Sequence, residues 1–138
     1  MNTIPDWQAP LKRTFGFDQL REGQQPVVEA ILAERSAAAI FPTGSGKSLC
    51  YQLPALLLPN LTLVVSPLLA LMQDQVAFLR SKGVAAASLD STLSRKELTS
   101  VQQGVRCGEI KILFISVERL KNERFREFIR GVAISLLV

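Results

Sequence analysis

An α/β fold, a parallel sheet with helices on both faces, is predicted by three observations. Short apolar runs of β type alternate with stretches of helical periodicity along the chain. A glycine-rich segment with the pattern of a phosphate-binding loop, Pro42-Thr43-Gly44-Ser45-Gly46-Lys47-Ser48, follows the first apolar run and precedes a helical stretch. The 138 residues, 48% of them hydrophobic, are enough for one domain with a sizeable core.

The strands are expected at Ala37 to Phe41, Leu61 to Val65, Val84 to Leu89, Ile110 to Ile115 and Val132 to Val138. Between the second and third runs, Leu68, Met72, Val76 and Leu79 fall on one helical face, with Ser66 as the expected N-cap and Pro67 as the first helical residue. Between the third and fourth, Ser94-Arg95-Lys96-Glu97 is a capping box, and Leu98, Val101 and Val105 share the apolar face of the helix it opens. Gly108 closes that helix, and Gly104 is a weak point in its last turn. The run Leu56-Leu57-Leu58 is a buried helix end stopped by Pro59.

The loop carries the chemistry. A helix start leaves backbone N–H groups without partners inside the helix, and these bind phosphate oxygens. Gly44 and Gly46 let the backbone adopt positive φ and approach the phosphates without a Cβ in the way. Lys47 is placed to reach the β and γ phosphates, and the Ser48 hydroxyl to ligate Mg²⁺. The strict pattern has glycine where this chain has Phe41.

Composition removes other classes. With no histidine and with Cys50 and Cys107 far apart, there is no pattern for a zinc site or for a Ser-His-Asp or Cys-His nucleophile, and both thiols are expected to be buried. No run of eighteen apolar residues and no signal-peptide pattern occurs, so a cytosolic protein with no membrane association is expected. The net charge of +4 leans toward the C-terminal third, where Arg106, Lys111, Arg119, Lys121, Arg124, Arg126 and Arg130 stand against Glu109, Glu118, Glu123 and Glu127. That excess suits either a polyanionic partner or a solvated helix face with mixed charges.

Three stretches taken together carry a family resemblance: Phe15 to Gln24, then Pro42 to Ala55, then Val64 to Val76. In type, order and spacing they resemble motifs 0, I and Ia of the RecQ family of DNA helicases, members of superfamily two, and Leu113 to Leu120 resembles motif Ib. The resemblance covers nearly the whole chain and implies a RecA-like P-loop NTPase domain. Members of that superfamily commonly lack glycine at the position of Phe41. Two further departures are Val117, where the family commonly has proline, and Asp90, where it has asparagine.

The resemblance implies ATP and Mg²⁺ as cofactors. Gln24 would read the adenine edge between Phe17 and Arg21, Thr43, Gly44, Ser45 and Gly46 would cradle the phosphates, Lys47 would be the catalytic lysine, and Ser48 the Mg²⁺ ligand. An amide that donates to one adenine nitrogen and accepts from the exocyclic amine suits that base, and an aromatic ring and a guanidinium can stack on its faces. Ser66, Pro67, Ser116 and Arg119 would touch the backbone of single-stranded or partly duplex DNA. The implied activity is 3′-to-5′ unwinding driven by ATP hydrolysis in recombination and repair, in the bacterial cytosol or nucleoid, and the oligomeric state is left open.

On that resemblance the chain is expected to be a partial motor domain, with an N-terminal helical region over residues 1–36 and a P-loop core over residues 37–138, truncated at the Walker B strand. The family's Asp-Glu-Ala-His motif should begin after Val138, and the second motor domain should follow. Loss of an arginine finger alone costs on the order of 10³ to 10⁵ in rate. The chain by itself is therefore expected to bind nucleotide without hydrolysing it or unwinding DNA. Two alternatives stay open, a short ATP- or DNA-binding module without turnover and an unrelated P-loop kinase.

Overall fold

The computed structural model describes residues 3–42 and 46–138. The chain divides into two compact units, Met1–Leu58 and Pro59–Val138.

In the first unit, α1 (Gln8–Pro10) continues as π-type turns through Leu11–Phe15 and stops at Gly16, whose φ of 78° takes the chain out of the helix. Leu11 and Phe15, four residues apart and so on one face, are both buried. α2 (Gln24–Leu32) buries Val28 and Leu32 at the same spacing. It packs against α3 (Leu49–Leu57), which buries Cys50, Leu53, Pro54 and Ala55 and ends at Leu58 before Pro59, where the apolar leucine run led us to expect a helix end. Leu56, Leu57 and Leu58 are only half-buried.

The expected strand at residues 37–41 does not form. Residues 35–42 have no regular structure, and Ile40 is 91% exposed. A strand exists only where a neighbour takes its N–H and C=O groups. The described part of this unit contains helices and no strand, so apolar β-type composition has no ladder to join.

The second unit is a four-stranded parallel sheet in the order β2-β3-β1-β4, from β1 (Leu61–Ser66), β2 (Ala86–Leu89), β3 (Ile112–Ser116) and β4 (Ile134–Leu137). α4 (Leu69–Ser81), α5 (Arg95–Arg106) and α6 (Glu123–Arg130) supply the long crossovers that parallel pairing requires. Strand residues alternate between faces. Leu61, Leu63, Ala87, Leu89, Leu113 and Ile115 form one cluster with Val105 of α5 and with Phe125 and Phe128 of α6. The alternate positions, including Val64, Ala86, Ile112 and Phe114, are also buried, and α4 lies against strands β1, β2 and β3 with Met72, Val76 and Leu79 buried. Both faces are thus covered, as an all-parallel sheet demands. This is the parallel α/β arrangement that the alternation of runs predicts.

Three local expectations need correction. α4 starts at Leu69 with Leu68 as its capping residue, φ −115° and ψ 109°, and not at Ser66 and Pro67. Ser66 is the last rung of β1, paired with Ser116, and a residue before proline is driven out of the α region, so the helix starts later and Leu68 is left 60% exposed. Cys50 is buried as expected, but Cys107 is exposed, because it caps the surface end of α5 just before the turn at Gly108. Gly104 has a packing function: a Cβ there would come within 2.9 Å of Ile110 Cδ1, so Ile110 uses the space that glycine leaves.

The helix starts of α5 and α6 follow from sequence. Ser94 Oγ accepts from Glu97 N–H at 3.2 Å, and Asn122 Oδ1 accepts from Phe125 N–H at 2.9 Å. Ser94→Ala is expected to destabilise the fold by about 1 kcal/mol in urea unfolding, the usual cost of a lost N-cap; an unchanged midpoint would show that this cap contributes nothing.

Candidate functional site

Each unit carries one group of the sequence-predicted residues. In the first unit the group is built on the turn from Gly23 into α2. Gly23 has φ 87°, and a Cβ on it would lie 3.1 Å from Phe41 Cε1. Phe41, the residue that departs from the strict loop pattern, therefore rests its ring edge against this glycine. Gln24, 2% exposed, bridges the two sides of the site. Its Oε1 accepts from Arg21 N–H at 2.7 Å, and its Nε2 donates to Gly46 C=O at 2.9 Å. Gly46 has φ 78°, and a Cβ there would meet Gln24 Nε2 at 2.7 Å and Arg21 Nη1 at 3.8 Å. Glycine is required at this position by backbone conformation and by close approach together.

The structure thus brings Arg21, Gln24 and Gly46 together, within 22 residues of chain separation between the last two. Phe17 is 51% exposed beside them in sequence, and Lys47 is exposed in the turn that opens α3. Thr43, Gly44 and Ser45 lie outside the described residues. Ser48 precedes α3 in α conformation, φ −62° and ψ −33°, with no capping bond from its hydroxyl. Burial pushes the Tyr51 phenol up to about 12, against hydrogen bonds from the Ser48 and Gln52 side chains that lower it. Burial likewise raises the Cys50 thiol, partly offset by a backbone hydrogen bond.

In the second unit the group stands at the carboxyl ends of adjacent strands. Ser66 and Ser116 are the terminal paired rungs of β1 and β3. Ser66 Oγ accepts from Leu68 N–H at 3.3 Å, within the turn made by Pro67. Ser116 precedes a short 3₁₀ turn, Val117–Lys121, without a capping bond from its side chain. Arg119, in that turn, donates from Nη2 to Asp90 C=O at 2.9 Å, which ties it to the end of β2.

Asp90 is the residue whose importance sequence reasoning missed. It is 3% exposed; its Oδ1 accepts from Thr92 N–H at 2.8 Å and from the Thr92 hydroxyl, and its Oδ2 from Ser88 Oγ at 3.3 Å. Burial would raise its pKa, but the Thr92 and Ser88 hydrogen bonds and the Arg119 charge together hold it below the ordinary carboxylate value. The signal was in the sequence: Asp-Ser-Thr after an apolar strand is the pattern of an Asx turn. The side chain that departs from the family pattern at this position both closes the turn and faces the arginine.

The residue pattern of the DEAD/DEAH box helicases matches residues 21–137. The chain belongs to the DEAD/DEAH box helicase family. It is 44% identical over 129 residues to an ATP-dependent DNA helicase RecQ of Synechocystis sp., covering 94% of this chain and 27% of that protein. It is 38% identical over 131 residues to an ATP-dependent DNA helicase RecQ of Bacillus subtilis, covering 94% and 22%. It is 43% identical over 129 residues to an ATP-dependent DNA helicase Q-like 5 of Arabidopsis thaliana, covering 93% and 14%. The chain therefore spans about a quarter or less of the length of these curated relatives. Within this helicase family domain no described helix is long and apolar enough to cross a membrane, and no group of three or more acidic, histidine or cysteine side chains among the described residues is placed to hold a metal ion.

Two tests follow from the geometry. Gln24→Ala leaves Arg21 N–H and Gly46 C=O without their partner in a part-buried site, so urea unfolding is expected to register a loss of about 1–3 kcal/mol; a loss within a few tenths would mean that water replaces the amide freely. For Asp90, a folded-state pKa below the ordinary 3.8 means that its stabilisation is complete above that value and is lost as pH falls through the folded value. Asp90→Asn is therefore expected to lose less melting temperature than wild type between about pH 5 and pH 2, and parallel acid limbs would rule out this linkage.

Proposed function

We propose that this chain is the nucleotide-binding part of a RecQ-like ATP-dependent 3′-to-5′ DNA helicase, and that Arg21, Gln24, Gly46, Lys47 and Ser48, with Phe17, form its ATP half-site. The observation that carries the reading is the Gln24 bridge, which ties the residue expected to select the base to the glycine that precedes the phosphate-binding lysine. Gln24 engages one N–H and one lone pair in holding Arg21 and Gly46. An amide has a second N–H and further acceptor capacity, the pair that an adenine edge needs. The exposed Phe17 ring is the proposed stacking surface on one side of the base and the Arg21 guanidinium on the other, with the exposed Lys47 ammonium as a phosphate contact.

Mg²⁺ fits this site as an ion that arrives with the nucleotide. It keeps several waters and takes phosphate oxygens readily, so one protein hydroxyl would be a sufficient share, and Ser48 would supply it by exchanging its contact with Tyr51. When bound, it neutralises the phosphate charge. Thr43, Gly44 and Ser45 complete the proposed cradle. Ser66, Pro67, Ser116 and Arg119 are the proposed contacts to the phosphate backbone of single-stranded or partly duplex DNA, since ligands bind at the carboxyl edge of parallel sheets. Coupling to unwinding, roles in recombination and repair, and location in the bacterial cytosol or nucleoid belong to the proposal for the whole protein. The 138 residues hold no Asp-Glu-Ala-His run, so they are expected to bind nucleotide without turnover.

Titration of fluorescent ATP and GTP analogues with Mg²⁺ tests the half-site. Wild type is expected to prefer ATP, and Lys47→Ala to weaken ATP binding by about tenfold or more, the equivalent of one charge-assisted hydrogen bond. Equal affinity for the two bases, or ATP binding indifferent to Lys47→Ala, would overturn the reading.

A further inference from the structure

Arg119 is the one cation among the four proposed strand-end contacts, and the turn after β2 sets an acid beside it. Leu89, the last residue of β2, pairs with Ile115 of β3, so Asp90 and Ser116 are the next positions along neighbouring strands at the carboxyl edge of the sheet. From the 3₁₀ turn that follows Ser116, Arg119 reaches back and donates from Nη2 to Asp90 C=O at 2.9 Å. A guanidinium carries five N–H donors, so this bond anchors Arg119 without using up its capacity for phosphate oxygens.

The Asp90 carboxylate does not make that bond. It is held within its own turn, with Oδ1 accepting from the Thr92 N–H and hydroxyl and Oδ2 from the Ser88 hydroxyl. An amide oxygen closes an Asx turn as an acid does, and the bond to Arg119 comes from the main chain, so both survive replacement of the acid by asparagine. What only the acid supplies is a negative charge, which burial disfavours and which the Thr92 and Ser88 bonds and the Arg119 guanidinium together keep ionised. That attraction is mutual: a carboxylate stabilised by a guanidinium lowers the potential that the guanidinium offers to another anion.

We propose that Asp90 is a positioning residue that limits the strength of the strand-end phosphate contact: its turn fixes the Arg119 guanidinium at the sheet edge, and its charge weakens the pull of that guanidinium on a nucleic-acid phosphate. This deepens, and rests on, the reading that Arg119 touches the DNA backbone. A phosphate brought to Arg119 shares the cation with an anion already present, and the two anions repel. The contact is therefore weaker and less dependent on salt than an arginine without that neighbour would give.

Fluorescence anisotropy of labelled single-stranded DNA, titrated with the whole chain over a range of salt, tests this with wild type, Asp90→Asn, Arg119→Gln and the double variant, each checked by circular dichroism. Asp90→Asn is expected to bind about threefold more tightly at low salt, the size of one partly exposed ion pair, and to steepen the slope of log affinity against log salt by up to about 1. A purely structural part for Asp90 would do the reverse, since loosening the turn weakens the contact. The gain is expected to vanish in the Arg119→Gln background. Unchanged or weaker binding by Asp90→Asn, or the same gain with and without Arg119, would overturn the proposal. Arg119→Gln alone judges the strand-end contact: binding equal to wild type, or no binding by wild type, removes that contact and the proposal together, whereas weaker binding by Arg119→Gln with no gain from Asp90→Asn removes the proposal only.

Discussion

Parallel pairing of β1 with β3, and of β3 with β2, is the constraint on which the second unit depends. Two parallel neighbours cannot be joined by a hairpin, so each connection is a crossover that carries a helix, and the strand ends that point the same way share one edge. That is why Ser66 and Ser116 stand side by side and why the turn at Asp90 comes within reach of Arg119. The same pairing buries both faces: the odd-numbered positions pack on α5 and α6, and the even-numbered positions are covered by α4. A one-residue slip in register would exchange those faces and separate the two serines.

In the first unit, one side-chain amide does the work that a ladder does in the second. Gln24 satisfies a backbone donor on Arg21 and a backbone acceptor on Gly46, and two glycines at positive φ make room for it and for the Phe41 ring. Such a contact is directional, and a buried amide left half-satisfied would be costly. It therefore holds Arg21 and Gly46 in one arrangement.

Charge is arranged differently at the two regions. Asp90 is deeply buried and stays ionised because three hydrogen bonds and a guanidinium outweigh its desolvation. The arginines of α5 and α6 are exposed and have no carboxylate within 4.0 Å among the described residues, and Arg106 packs over the Phe128 ring.

Residue order alone was enough to specify the alternation of apolar runs and helices, the Ser94 cap, the helix end at Pro59, and the four runs that became β1 to β4, since periodicity, capping and proline chemistry act over a few neighbouring residues. It also carried the family resemblance, through Phe15 to Gln24, Pro42 to Ala55, Val64 to Val76 and Leu113 to Leu120. Tertiary structure decided the rest. Whether Ala37 to Phe41 became a strand depended on a partner for its backbone, whether Ser66 capped a helix depended on its place in the β1 ladder, and whether Gly104 was weak depended on Ile110. The bridge from Gln24 to Gly46 and the Asp90 turn facing Arg119 join residues far apart in the chain, and their meeting is set by packing, which no local pattern records.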